Sequence, residues 1–145
     1  MSQFIGQLLL RSLSIQELDR AGSPSKQLYQ LVEDFGYESS KLGFNITAPA
    51  GLITDFASIP RPVWSILDPE DPIIAWGSVI HDVLYKQQGL MPGGRVVTRE
   101  QADSVLREAM ELQGAGNFLR SAVYWGLRAG GSHAWNNPTS YKITP

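Results

Sequence analysis

Apolar residues cover nearly the whole circumference of the stretch PIIAWGSVIHDVLY, from Pro72 to Tyr85. Ile73, Trp76, Ile80, Val83 and Leu84 form one stripe at helical spacing, while Ile74 and Val79 fall off it. The pattern predicts a helix enclosed by neighbours and packed on the other long helices. Asp71 and Pro72 supply its start, an N-cap acceptor followed by proline at the first helical position. Its end is predicted near Gln88 and Gly89, before the glycine-rich turn GLMPGGR. Into this apolar surface are set His81, Asp82 and, one turn past the histidine, Tyr85. Buried polar groups are costly unless they are hydrogen-bonded, so the partners of these three residues are the central question.

Two more helices are predicted downstream. Thr98 and Gln101 form a capping box, and Ala102, Val105, Leu106, Ala109 and Leu112 follow as an apolar stripe that stops at Gly114. Asn117 to Gly130 carries Phe118, Leu119, Ala122, Val123, Trp125 and Leu127, which predicts a helix mostly covered by its neighbours, with Gly130 and Gly131 as the stop. Trp64, Trp76, Trp125 and Trp135 read as packing residues. The tail from Ser132 to Pro145 is polar and expected on the surface.

Upstream the pattern is shorter and strand-like, with Phe4 to Leu10, Gln27 to Phe35 and Phe44 to Thr47 as strand candidates. Ala48 to Pro62 holds three prolines and a glycine, which predicts an ordered loop leading to a short helix around Val63 to Leu67. The fold class expected is α+β: a small N-terminal antiparallel sheet, then three main helices and one short helix. The 145 residues suit a single domain.

Composition narrows the function classes. Charged residues are 18% and aromatics 10% of the chain, a globular composition. The net charge of −2 offers no basic field for nucleic acid. The absence of cysteine excludes disulfides, thiol nucleophiles and thiolate metal sites. No apolar run is long enough for a transmembrane segment, and the N-terminus carries no export signal, so synthesis in the cytoplasm is expected. There is no G-x-S-x-G elbow, P-loop or zinc-binding H-E-x-x-H helix. The phosphohydrolases that use an adjacent His-Asp pair need a further histidine upstream, and the only other one, His133, lies downstream.

Three aspartates remain as candidates beside His81. Asp103 lies about 100° round its helix from Ala102, at the edge of the apolar stripe. If the two helices pack, it can reach His81, hold the imidazole tautomer and leave the other nitrogen as a general base or metal ligand. Asp82 points about 100° away from His81 and suits cation binding. Asp55, in the proline-rich loop, is either a turn residue or a further oxygen ligand. Plainer readings compete. Asp82 with Lys86, and Asp103 with Arg107, have the spacing of solvent-exposed i,i+4 pairs. His81 could be a satisfied core histidine bonded to Ser78 or a loop carbonyl, and Tyr85 a core-edge aromatic. The inventory permits an oxygen-rich calcium or magnesium site, or a histidine-carboxylate zinc site; no organic cofactor is expected.

The succession GLITDFASIPR at 51–61, Trp64, VIHDVLY at 79–85, REQAD at 99–103 and a late tryptophan-containing helix resembles an uncharacterised family of small proteins encoded by tailed bacteriophages and prophages. That resemblance implies a phage origin and no settled activity. A shorter pattern, H-D-x-x-Y at 81–85 followed by an aspartate in R-x-x-A-D-x-x-L-x-x-A-M, is similar to the secretory phospholipases of the A-two type. It implies His81 as the general base for water, Asp82 as a calcium ligand, Tyr85 as an orienting residue and Asp103 as the hydrogen-bond partner of the histidine. The glycine-rich calcium loop of that family is missing: TDFASIPRP stands ahead of the histidine, so either Asp55 supplies the oxygen that loop would have given or no calcium binds.

The expected function is a phage-encoded hydrolase of the bacterial envelope, acting on a lipid ester or on peptidoglycan. The alternative is a virion component, of tail or tail tip, whose His/Asp cluster is a buried structural network and whose partners are other virion proteins. A third reading, a module that binds a host protein, has no feature of its own. An open cleft at His81 would favour the enzyme and a sealed histidine the structural reading.

Overall fold

Phe4, Phe35 and Trp76 meet as an aromatic cluster with ring centroids 5.3–5.5 Å apart, and this cluster joins the N-terminal strands to the central helix. The computed structural model describes residues 1–22, 28–56, 59–68 and 70–138. Among these the order is β1 (Gln3–Ile5), β2 (Leu10–Ser12), α1 (Ile15–Arg20), β3 (Tyr29–Leu31), β4 (Phe35–Ser39), β5 (Phe44–Ala48), β6 (Ile53–Thr54), α2 (Arg61–Trp64), α3 (Pro72–Lys86), α4 (Arg99–Leu112), α5 (Asn117–Gly130) and α6 (Ser132–Asn136). The class is α+β, as the patterning predicts.

The strands form two antiparallel three-stranded sheets, β1-β4-β5 and β2-β3-β6, where one small sheet is expected. The candidate Phe4 to Leu10 divides between the sheets because Gly6, at φ 83°, turns the chain in a region that side chains disfavour. The candidate Gln27 to Phe35 divides between β3 and β4, and Gln27 itself lies outside the described residues. Helix α1 was not predicted, although Ser14 and Glu17 form a reciprocal capping box that is visible as S-x-x-E. The short helix α2 begins two residues earlier than expected. Helix α6 occupies the start of the tail expected to be surface, and residues 139–145 of that tail lie outside the described residues.

Helix α3 begins on the predicted cap, with the Asp71 side chain accepting from the Ile73 N–H. It is the most buried of the three long helices: only Pro72, Ile73, Trp76 and Lys86 keep appreciable exposure. Its deepest line runs through Ile74, Val79, Ile80 and Leu84, all 0% exposed, so the two isoleucine and valine positions off the expected stripe are core, while Ile73 and Trp76 are half-buried. Val79, Ile80, Leu84 and Tyr85 pack with Phe35, Tyr37 and Ile46 of the first sheet. Ile74 belongs to a second cluster with Leu106, Met110, Val123 and Leu127. Helix α5 packs chiefly on α4 and α2.

Glu108 of α4 fastens the sheet to the helices. Its carboxylate accepts from the Tyr37 hydroxyl at 2.8 Å, the Ser39 hydroxyl at 3.0 Å and the Lys41 N–H at 3.1 Å. Burial, reinforced by the bond to Glu108, pushes the Tyr37 phenol pKa up, so the hydroxyl stays a donor.

Candidate functional site

The site is built where α3 and α4 approach most closely. A Cβ on Gly77 would stand 2.8 Å from Leu106 Cδ1 and 2.9 Å from Ala109 Cβ, so glycine is what permits this helix spacing. One turn further along α3, and one turn back along α4, His81 faces Asp103. The capping box predicted at Thr98 is formed by both of its bonds, which sets the start of α4 and hence the height of Asp103.

Asp103 is wholly buried and carries four neighbours of positive or donor character. Its Oδ1 accepts from His81 Nε2 at 2.9 Å and from the Tyr85 hydroxyl at 2.6 Å. Its Oδ2 accepts from Arg128 Nη1 at 2.8 Å, with Arg99 Nη1 at 3.6 Å. Arg99 is itself held by the Leu127 and Arg128 carbonyls at the end of α5. Burial works against the Asp103 anion, but the hydrogen bond and charge of His81, with Tyr85 and Arg128, outweigh it and hold the carboxyl below its ordinary range. An ionised carboxylate can only accept, so Nε2 carries a proton towards Asp103. The His81 and Tyr85 rings lie 4.1 Å apart, and Trp135 of α6 closes the outer side edge-on to Tyr85 at 5.1 Å. Trp135 is thus a packing residue, as read from the sequence. His81 is 0% exposed: it is sealed, not in an open cleft.

Asp82 faces a different environment. It is 4% exposed, beside the loop that follows β6. Burial pushes its carboxyl up to about 6, partly offset by the Lys86 charge and a hydrogen bond from Thr54, and the neighbouring Asp55 carboxylate raises it further. Asp55 is therefore brought next to Asp82. Lys86 Nζ stands 3.9 Å from Asp82 Oδ2, too far for a hydrogen bond. Asp82 Oδ2 and Ser78 Oγ are buried with no hydrogen-bond partner, and they lie one turn apart on the same face of α3. The loop turns at Phe56, a non-glycine residue at φ 58° whose N–H donates to the Thr54 hydroxyl, a strained conformation of the kind that collects at ligand-binding segments.

The structure thus joins His81, Tyr85 and Asp103 in one network and sets Asp82 and Asp55 together beside it. The surface readings do not hold: Asp82 is buried, and Asp103 pairs with Arg99 and Arg128 while Arg107 stacks over Tyr124 at 5.2 Å. Of the core reading of His81, the bond to the Ser78 hydroxyl is not formed, while its full burial fits that reading. The sequence reading missed Thr54, Arg99 and Arg128, and named Ser78 only as a partner for His81. Arg99 had a signal, four residues before Asp103; Arg128, arriving from another helix, had none. Among the described residues no group of three or more His, Cys, Asp or Glu side chains could hold a metal ion, so any cation here would rest on two carboxylates and neutral oxygens.

Residues 29–127 match a family described as a protein of unknown function, DUF1353. The chain belongs to that family. The DUF1353 region runs from β3 to the last turn of α5 and contains Asp55, His81, Asp82, Tyr85, Arg99 and Asp103, while β1, β2, α1, Arg128 and α6 lie outside it. Comparison with curated proteins and with solved structures gave no match.

Proposed function

We propose that this DUF1353 protein is a phage-encoded, calcium-assisted hydrolase of lipid esters in the bacterial envelope. The observation that carries the reading is the pairing of His81 with Asp103 at 2.9 Å, with the adjacent Asp82 aimed elsewhere and one of its oxygens unpartnered. Asp103 fixes the imidazole tautomer and Tyr85 steadies Asp103. In this reading the sealed ring opens locally to admit water and ester; His81 Nδ1 takes a proton from water as the water oxygen attacks the ester carbonyl, and returns it to the leaving alkoxide.

The donor set beside the histidine suits a hard cation. Asp82, Asp55 and the Thr54 hydroxyl offer oxygen only, and His81 Nε2 is committed to Asp103, which favours calcium or magnesium over zinc. Calcium held there would polarise the carbonyl oxygen and offset the charge that develops on it. Lys86 supplies the counter-charge in its absence. A groove of about 280 Å³ lined mostly by apolar residues, Leu8, Leu10, Tyr29, Phe56 and Trp76, with Glu70 at one side, reaches α3 at Ala75, two turns before Asp82 on the same face, which favours an acyl chain over a peptidoglycan strand.

The complete burial of His81 favours a second reading, a virion component in which the same network locks α3, α4 and α5 together. Turnover separates the two. The purified protein is incubated with phospholipid vesicles and, separately, with peptidoglycan, with calcium or with chelator. Calcium-dependent release of fatty acid that is lost in His81→Asn supports the hydrolase. No hydrolysis of either substrate, together with a large loss of stability in His81→Asn, overturns it in favour of the virion component.

A further inference from the structure

We propose that the polar groove along α4 binds a neutral oligosaccharide. Glu100, Ser104, Arg107, Glu108 and Glu111 fall within about 100° of one another round the helix and floor the groove for three turns, about 16 Å. Lys41, in the turn between β4 and β5, stands on one side and Tyr124 of α5 on the other, and the groove between them holds about 380 Å³, a volume suited to a small ligand. Helix α5 turns Phe118 and Trp125 outward, 86% and 64% exposed although the sequence reads both as covered, and turns Tyr124 towards α4. Ser104 distinguishes this groove from a solvated helix face. It is only 9% exposed, it lines the groove, and its hydroxyl makes no hydrogen bond among the described residues. A polar group so enclosed calls for a partner, and the groove is where one can enter.

The mixture of charges narrows the ligand. Three carboxylates, Glu100, Glu108 and Glu111, oppose an anion such as a phosphate or a nucleotide, while Arg107 and Lys41 oppose a metal ion or a polyamine. An apolar ligand would strip water from all of these groups and return no hydrogen bond. A peptide segment is held by a strand edge, an apolar slot or a cluster of arginines; none of the lining residues belongs to a strand, and the groove has one arginine and one aromatic ring. A sugar hydroxyl both donates and accepts, so a saccharide can donate to the carboxylates and accept from Arg107, Lys41 and Ser104, with the Tyr124 ring as apolar surface for its C–H groups. Two of these groups are already held in place: Glu108 by Tyr37, Ser39 and the Lys41 N–H, and Arg107 over the Tyr124 ring at 5.2 Å. Fixed donors and acceptors lower the ordering cost of binding. The three-turn length of the floor suits a short chain of sugars better than a single ring.

The test uses the full chain and a panel of neutral oligosaccharides of glucose, galactose, mannose and N-acetylglucosamine, with spermine and inorganic phosphate as charged probes, read by titration calorimetry and saturation-transfer NMR. Binding of at least one oligosaccharide, and of neither charged probe, is expected. Ser104→Ala separates a ligand-binding role from a structural one: the hydroxyl has no partner in the fold to lose, so the urea midpoint should not fall while oligosaccharide binding weakens severalfold. Arg107→Gln should weaken binding by about tenfold or more with an unchanged far-ultraviolet circular dichroism spectrum. No binding to any member of the panel, binding of spermine or phosphate instead, or a Ser104→Ala protein that binds as the parent does would overturn the proposal. Binding is read without turnover and on residues outside the His81 network, so failure here is distinct from failure of the hydrolase reading.

Discussion

His81 Nε2 stands 2.9 Å from Asp103 Oδ1 across the α3–α4 interface, and neither side chain has any solvent contact. A bond so enclosed serves two ends: it fixes a tautomer, and it prevents two buried polar groups from being left unpaired. Asp103→Asn separates them. The amide oxygen can still accept from His81 and Tyr85, but its NH₂ then meets Arg128, and the fold loses a buried anion among cations. A stability loss of about 3 to 5 kcal/mol is expected, with native near-ultraviolet circular dichroism at low temperature. Ester hydrolysis measured there should fall by about 10³ to 10⁴-fold; an unchanged rate would remove Asp103 from the reaction.

Asp82 and Asp103 respond to pH in opposite senses. Asp103 has a lowered folded pKa, so its stabilisation is present above the ordinary carboxyl range and is lost as pH falls through the folded value. Asp82 is raised from 3.8 to about 6, so the folded state holds its proton more tightly than the unfolded chain. Its contribution is present below about pH 4 and is lost as pH rises to 6, amounting to on the order of 2 to 3 kcal/mol. Asp82→Asn should therefore match the parent near pH 4 and exceed its stability above pH 6 in urea titrations. Equal pH profiles for the two proteins would show that Asp82 ionises freely.

Calcium adds a check on the same carboxyl. A cation that takes up Asp82 Oδ2 binds only the ionised form, so millimolar calcium should raise the melting temperature of the parent at pH 7.5 and have little effect at pH 4.5. The response should vanish in Asp82→Asn. A calcium shift that persists in that variant would place the cation elsewhere.

The helices were legible because their signals are local. The Asp71-Pro72 start, the Thr98-Gln101 box and the Asn117–Gly130 span are all formed as read. The His81–Asp103 meeting was legible too, since two helices joined by a glycine-rich turn bring those positions to one height. Strand division was not, because Gly6 reads equally as a weak strand residue or a turn. Trp125 and Phe118 misled in the other direction: apolar residues at helical spacing normally mark a buried face, yet here Val123 and Leu127 take the inside. Arg128 comes to Asp103 from the far end of another helix, a relation that no spacing in the chain encodes.

Gly77→Ala tests the helix approach that makes the site. Alanine improves helix propensity by about 1 kcal/mol, but its methyl would press on Leu106 and Ala109 at under 3 Å. Overpacking should prevail, with a net loss of about 1 to 2 kcal/mol by urea denaturation and a larger proportional loss of any His81-dependent activity as the helices part. A stabilised variant would mean that α4 shifts freely.

Gly131→Ala reaches the same network from its outer end. A Cβ there would lie 2.6 Å from the Tyr85 hydroxyl oxygen, 2.6 Å from the Leu127 carbonyl and 3.0 Å from Arg99 Nη1. The strain can be relieved by pushing Tyr85 and Arg99 away from Asp103 or by moving the start of α6. Tyr85→Phe distinguishes these, because it deletes the hydroxyl that the new methyl would strike. If Tyr85 yields, the double variant should cost less than the sum of the single ones, with a coupling of about 1 kcal/mol in a double-mutant cycle of unfolding free energies. The Leu127 carbonyl contact remains in both backgrounds, so some cost of Gly131→Ala should persist in Tyr85→Phe. Strict additivity would mean that α6 moves instead, and the Asp103 network would then be insulated from the C-terminal segment.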